Sequence, residues 1–143
     1  MKAVFFKKLL LSAAVALLVI AAPAEAARRS VPIVDIPVVA VPWPNGQAGS
    51  PDAVKAAILA GLVMKSWTGQ VVAPGLIRGT LLIRTHRVEV DIAYTATEYS
   101  IKYADSDNLG YRADKREIHP KYNGWVRQLR ETIDAQFLLR SMG

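Results

Sequence analysis

Between Val88 and Tyr103 the chain alternates with a period of two. Val88, Val90, Ile92 and Tyr94 interleave with Glu89, Asp91 and Ala93, and Tyr99, Ile101 and Tyr103 interleave with Ser100 and Lys102. Successive side chains of a strand point to opposite faces, so this pattern demands strands with one buried and one wetted face. A sheet wetted on one side is characteristically antiparallel, because parallel sheets are covered on both faces by their crossover helices. Upstream, Ala73-Pro74-Gly75-Leu76 puts Pro and Gly at the second and third positions of a four-residue turn, the pairing a type II turn needs. It joins a strand near Trp67–Ala73 to one near Leu76–Arg84. The links Thr85–Arg87 and Thr95–Glu98 are of hairpin length, so a four-strand antiparallel meander is the expected topology.

Helical signals flank this stretch. Ser50 can cap, Pro51 suits the first helical position, and Asp52 complements the positive end of the helix dipole. Val54, Ala57, Ile58, Gly61, Leu62 and Lys65 then recur at helical spacing, which predicts a helix over about residues 51–65. A second helix is expected to begin near Pro120, with Tyr122, Trp125, Val126, Leu129, Ile133 and Phe137 along one stripe. Trp125 on that stripe is expected to pack under Ile92 or Ile101. The order helix, four-strand meander, helix predicts a two-layer α+β domain over residues 50–143, both helices on one face of the sheet.

The N-terminus reads differently. Lys2, Lys7 and Lys8 precede an unbroken run of 14 apolar or small residues, Leu9 to Ala22, followed by the breaker Pro23 and Ala24-Glu25-Ala26. This is the layout of a secretory signal peptide over residues 1–26, with cleavage expected after Ala26 and a periplasmic destination. The run falls short of the about 20 apolar residues that cross a bilayer, and no later run reaches that length, so no transmembrane anchor is expected after cleavage. The chain has no Cys, which excludes disulfides, thiolate metal sites, a cysteine nucleophile and a lipid-modified mature N-terminus. Beyond Ala26 it carries 15 Lys and Arg against 11 Asp and Glu, a net charge of +4. Residues 27–49 form an extended lead-in segment with prolines at 32, 37, 42 and 44, suited to an edge strand and not to a helix.

Motifs that carry chemistry are scarce. The only two histidines, His86 and His119, have no metal-ligand spacing, and read as a hairpin-turn residue and a helix-capping residue. Neither a metal nor a cofactor is expected. Glu89 and Asp91 share one strand face and read as solvated, with Arg78, Arg84 or Lys102 as neighbours able to pair with them. Tyr94, Tyr99, Tyr103, Tyr111, Tyr122 and Trp125 invite a single-stranded nucleic-acid or sugar reading, though at strand and helix spacing such residues are more often core side chains with a polar tip. Export and the lack of a Lys cluster oppose nucleic acid in particular, so no nucleic acid is expected as a partner. Ser106, Asn108, His119, Tyr122 and Asn123 group between the last strand and the last helix. They are expected to lock a long polar loop onto the helix start, with a ligand or partner groove as the sharper alternative.

Tyr99-Ser100-Ile101-Lys102-Tyr103, Ser106, Asn108-Leu109 and then Ile118-His119-Pro120-Lys121-Tyr122-Asn123-Gly124-Trp125-Val126 resemble a family of small exported proteobacterial proteins. Its pattern reads YSIxYxxSxNL followed by IHxxYNxWV and a short amphipathic helix. The Pro74-Gly75 turn and the Arg84/His86 region also match, so the resemblance covers most of residues 51–140. That family has no established activity and implies no catalytic role for any residue here. Some members carry a lipoprotein label, from which this chain departs by lacking the Cys.

Two functions from different classes follow. The first is a non-enzymatic periplasmic binding or envelope-accessory domain, its partner an anionic envelope component or another periplasmic protein, as the net positive charge favours. The second is a small hydrolase using His119 with Ser106 or Asp107, unsupported by any nucleophile motif.

Overall fold

The computed structural model describes residues 29–44 and 49–143. The signal-peptide run lies outside the described residues. In chain order the elements are β1 (Val31–Pro32), β2 (Ile36–Ala40), α1 (Pro51–Met64), β3 (Trp67–Ala73), β4 (Leu76–Ile83), β5 (His86–Tyr94), β6 (Glu98–Asp107), β7 (Glu117–Ile118) and α2 (Lys121–Arg140). The fold is α+β, with two helices and an antiparallel five-stranded sheet ordered β2-β6-β5-β4-β3; β1 and β7 form a separate antiparallel pair.

The sheet has one strand more than the four expected. β2, from the proline-rich lead-in, pairs with β6 at the sheet edge, a position where Pro37 costs no central ladder bond. Among its described residues, Ile36–Ala40 is extended, as its proline suits, and is built into the sheet instead of preceding it. Ile33 and Val41 are buried in the same core as the helices, and Trp43 stacks edge-on against Phe137 with ring centroids 5.2 Å apart. The Asn123 side chain serves as a ladder partner for this segment: its Nδ2 donates to Pro32 O at 2.9 Å and its Oδ1 accepts from Val34 N–H at 3.0 Å.

The apolar face of the sheet follows the alternation. Ile77, Ile92 and Ile101 stand in one row across β4, β5 and β6, and all three are fully buried. In the next row Gly79 lies opposite Val90, and Leu62 of α1 sits where a Cβ on Gly79 would be, 2.8 Å from its Cδ2. The absent side chain lets α1 lie close on the strands. Gly61 plays the same part between the helices, since a Cβ there would stand 2.6 Å from Ile133 Cγ1 and 3.0 Å from Ile133 Cα. Tyr122, Val126, Leu129, Ile133 and Phe137 of α2 are buried.

Trp125 departs from its expected place. It is only partly buried, beside the Ile83 end of β4 and not under Ile92 or Ile101. One helical turn has two residues competing for the stripe, and Val126 takes the core position.

The wetted face carries a charge ladder. Arg78 grips Asp91 with two hydrogen bonds, of 2.9 and 3.1 Å, while Arg87 reaches Glu89 at 2.8 Å and Asp105 at 2.7 Å. The Arg87 hydrogen bond holds the Asp105 carboxyl below its ordinary range. Asp91 is thus the cross-strand partner of Arg78, and Glu89 pairs with Arg87 two residues before it on β5 and lies 4.0 Å from Arg78 across the strands, as a solvated face allows.

Candidate functional site

β6 runs on to Asp107, past the point where its alternation ends. The β5–β6 register shifts between Glu89 and Val90, which leaves Ala104 as an extra residue. Such a bulge turns the following side chains over. Ser106 and Asp107, expected in a loop, are therefore strand residues. Ser106 lies opposite Val88 on the core-facing side, and its Oγ is 2.7 Å from the Tyr103 hydroxyl.

After β6 the chain doubles back. Asn108 adopts φ 57°, a left-handed conformation that Asn tolerates well, and its Nδ2 donates to Thr85 Oγ1 at 2.8 Å. That bond fastens the β4–β5 turn, where Arg84 has φ 55°. Arg112 bridges to Glu117, and His119 N–H donates to Leu109 O at 3.0 Å. This return carries His119 from the start of α2 to the side of Asn108.

His86 is the first residue of β5, not a turn residue. Its Nδ1 is 2.6 Å from Asn108 O. A carbonyl can only accept, so Nδ1 carries a proton, and in the neutral ring Nε2 has the lone pair. His119 is the converse. Its Nδ1 accepts from Lys121 N–H at 3.2 Å, so Nδ1 is the bare nitrogen and Nε2 carries the proton. The α2 cap residue Pro120 offers no side-chain hydrogen bond, and His119 supplies the one a cap would make. Backbone partners thus set complementary tautomers on the two rings.

Both histidines line one cleft of about 460 Å³, together with Arg29, Ser30, Asn108, Leu109, Gly110, Arg112 and Pro120. The volume lies in the range of small-molecule sites. Among the described residues no carboxylate lines it. Two of the lining residues are held by Glu117, whose Oε2 accepts from Ser30 Oγ at 2.8 Å and lies 3.8 Å from Arg112 Nη1. Adjoining the cleft is a second hollow of about 250 Å³, lined by Ile83, Arg84, His86, Leu109, His119, Lys121 and Trp125. Among the described residues Arg84 and Lys121 form no ion pair, in contrast to Arg78 and Arg87 on the sheet face.

The grouped polar residues thus divide. Asn108 and His119 meet at the cleft. Ser106 is turned to Tyr103, Asn123 is bonded to the lead-in, and Tyr122 is buried with its ring 5.8 Å from that of Tyr103. Burial pushes the Tyr122 hydroxyl above its ordinary range. No hydrogen bond joins His119 to Ser106 or Asp107 among the described residues. No set of three or more His, Asp or Glu stands in metal-binding proximity among them. Sequence reasoning missed Arg29, Arg112 and the convergence of His86 on His119. Residues 29, 86, 112 and 119 meet only through the returning loop, and no local pattern encodes that return.

No family model, curated protein or solved structure matches the chain. No helix among the described residues is long and apolar enough to cross a membrane.

Proposed function

We propose that this chain is an exported, non-enzymatic binding or envelope-accessory protein whose ligand presents an anionic group to the His86–His119 cleft. The observation that carries the reading is the lining itself: Arg29, Arg112 and His119 line a cavity that, among the described residues, has no carboxylate in its wall, with Arg84 and Lys121 beside it. Charge-assisted donors gathered in a recess favour phosphate or carboxylate over any cationic ligand. The signal-peptide layout of residues 1–26 and the resemblance to an exported family support periplasmic work, with Ala27 as the first mature residue. An anionic envelope component such as a lipid headgroup phosphate suits both features.

The test is co-sedimentation of the processed protein with phosphatidylglycerol vesicles and with phosphatidylcholine vesicles across a salt series. Retention on the anionic vesicles alone, weakening as salt rises and lost in an Arg84→Ala/Arg112→Ala variant, is the expected result. Absence of salt-sensitive retention at every ionic strength would contradict it.

A further inference from the structure

The cleft and the hollow beside it adjoin across His86, Leu109 and His119, which line both, and together they make up a groove. At the far end stands Trp125, partly buried, whose side chain also borders a third recess with Ile83 and Trp67. The groove therefore has two chemically distinct ends. One offers Arg29, Arg112 and the His119 Nε2–H. The other offers an indole flanked by Ile83 and Leu109 and rimmed by Arg84 and Lys121.

Tryptophan on α2 had a buried alternative in this fold. The core position on that turn belongs to Val126, and Trp125 is left with part of its surface toward the groove. A large aromatic surface next to unpaired cations is the composition of a ligand site more than of a solvated surface. The hollow's lining also discriminates between occupants. Four of its seven residues, Arg84, His86, His119 and Lys121, are polar. An acyl chain lying there would strip water from these groups and return no hydrogen bonds. A sugar ring presents C–H groups on one face, which stack on an indole, and hydroxyls around its edge, which meet the polar rim.

We propose that the groove binds a phosphorylated sugar, the anionic group seated in the His86–His119 cleft and the sugar ring stacked on Trp125. The proposal rests on the anion-binding reading of the cleft and adds the class of ligand that carries the anion. The same chemistry is offered by a free sugar phosphate and by a phosphorylated glycolipid headgroup, and vesicles bearing a phosphorylated glycolipid compared with micellar-free sugar phosphate separate the two sources.

The experiment is calorimetric titration of the processed protein with glucose 6-phosphate, inorganic phosphate and glucose in parallel. Glucose 6-phosphate should bind about tenfold or more tighter than phosphate, with glucose alone weakest. In Trp125→Leu, whose fold is checked by thermal denaturation, the advantage of the sugar phosphate should vanish while phosphate binding persists. If that variant fails to fold, the wild-type indole Nε1–H resonance of Trp125 decides the point: it should move with glucose 6-phosphate and stay still with phosphate. Equal affinity for phosphate and glucose 6-phosphate, or an unmoved Trp125 resonance, would overturn the sugar proposal and leave the anion cleft standing. Absence of binding by either anion would overturn both.

Discussion

Tyr99 on β6 donates its phenolic hydrogen to Asp134 Oδ1 on α2 at 2.5 Å, and the same ring lies 5.7 Å from that of Phe137. One side chain thus joins sheet to helix by an ionic hydrogen bond and by aromatic packing. Replacing Tyr99 with Phe keeps the ring and removes the bond. Asp134 still has Arg130 at 3.5 Å and partial access to water, so its carboxylate is not stranded. The expected loss is about 1–2 kcal/mol, at the lower end for a hydrogen bond to a charged group, read from urea denaturation. An unchanged midpoint would show that water replaces the bond fully.

The Tyr99 hydroxyl also makes an alkaline limit. Burial first, and then the bond to Asp134, raise its proton affinity in the fold, and burial does the same for Tyr122. Above the ordinary tyrosine value of about 10 the unfolded chain releases these protons and the native one retains them. Stability is therefore full below about pH 10 and falls as the pH rises beyond it. Denaturation midpoints between about pH 8 and about pH 11 should drop in the wild type and drop less in Tyr99→Phe. Equal drops in both would deny Tyr99 this role.

Two glycines in helices should respond to alanine in opposite directions. At Gly61 the new methyl would collide with Ile133, part of the neighbouring helix backbone included. Gly61→Ala should cost about 1–3 kcal/mol by forcing α1 and α2 apart, despite alanine's better helix propensity. At Gly124 a methyl meets nothing nearer than Arg127 Nη2 at 3.8 Å. Gly124→Ala should stabilise by about 0.5–1 kcal/mol. Thermal denaturation of the pair checks both signs, and a shared sign would refute the helix contact.

Phe137 and Trp125 share one stripe by spacing, but only Phe137 lies in the core. Phe137 is fully buried between Trp43 and Tyr99, and Phe137→Ala should cost about 3–5 kcal/mol. Trp125, open to the groove, should cost clearly less, about 1–2 kcal/mol. A larger loss at Trp125 than at Phe137 would place its ring in the core after all.

Where sequence and structure agree, the reason is local. The alternation of Val88–Tyr94, the Pro74-Gly75 turn and the Ser50-Pro51-Asp52 helix start are encoded by neighbouring residues, and β5, the β3–β4 turn and α1 follow them closely. The Ser50 hydroxyl does accept from Ala53 N–H, at 3.1 Å. The misses are long-range. Ala104 breaks the period of β6 by one residue and disguises Ser106 as a loop residue. Ile36–Ala40 carries Pro37 and suits an edge strand, but nothing local says that β6 is the strand it joins. Which of Trp125 and Val126 enters the core depends on how α2 is rotated against the sheet, and either fits a helical stripe. His86 and His119 are 33 positions apart in the chain, and the bonds that bring them together run through Asn108 and Leu109.

Titration of inorganic phosphate into isotopically labelled protein, followed by NMR, reads out whether the His86–His119 cleft holds an anion. Saturable shifts of the His86 and His119 ring resonances and of the backbone amides of Asn108–Arg112 are expected, lost in the Arg84→Ala/Arg112→Ala variant. Shifts that never saturate, or that spread evenly over exposed cations such as Lys102 and Lys115 while the two histidine rings stay still, would contradict anion binding there.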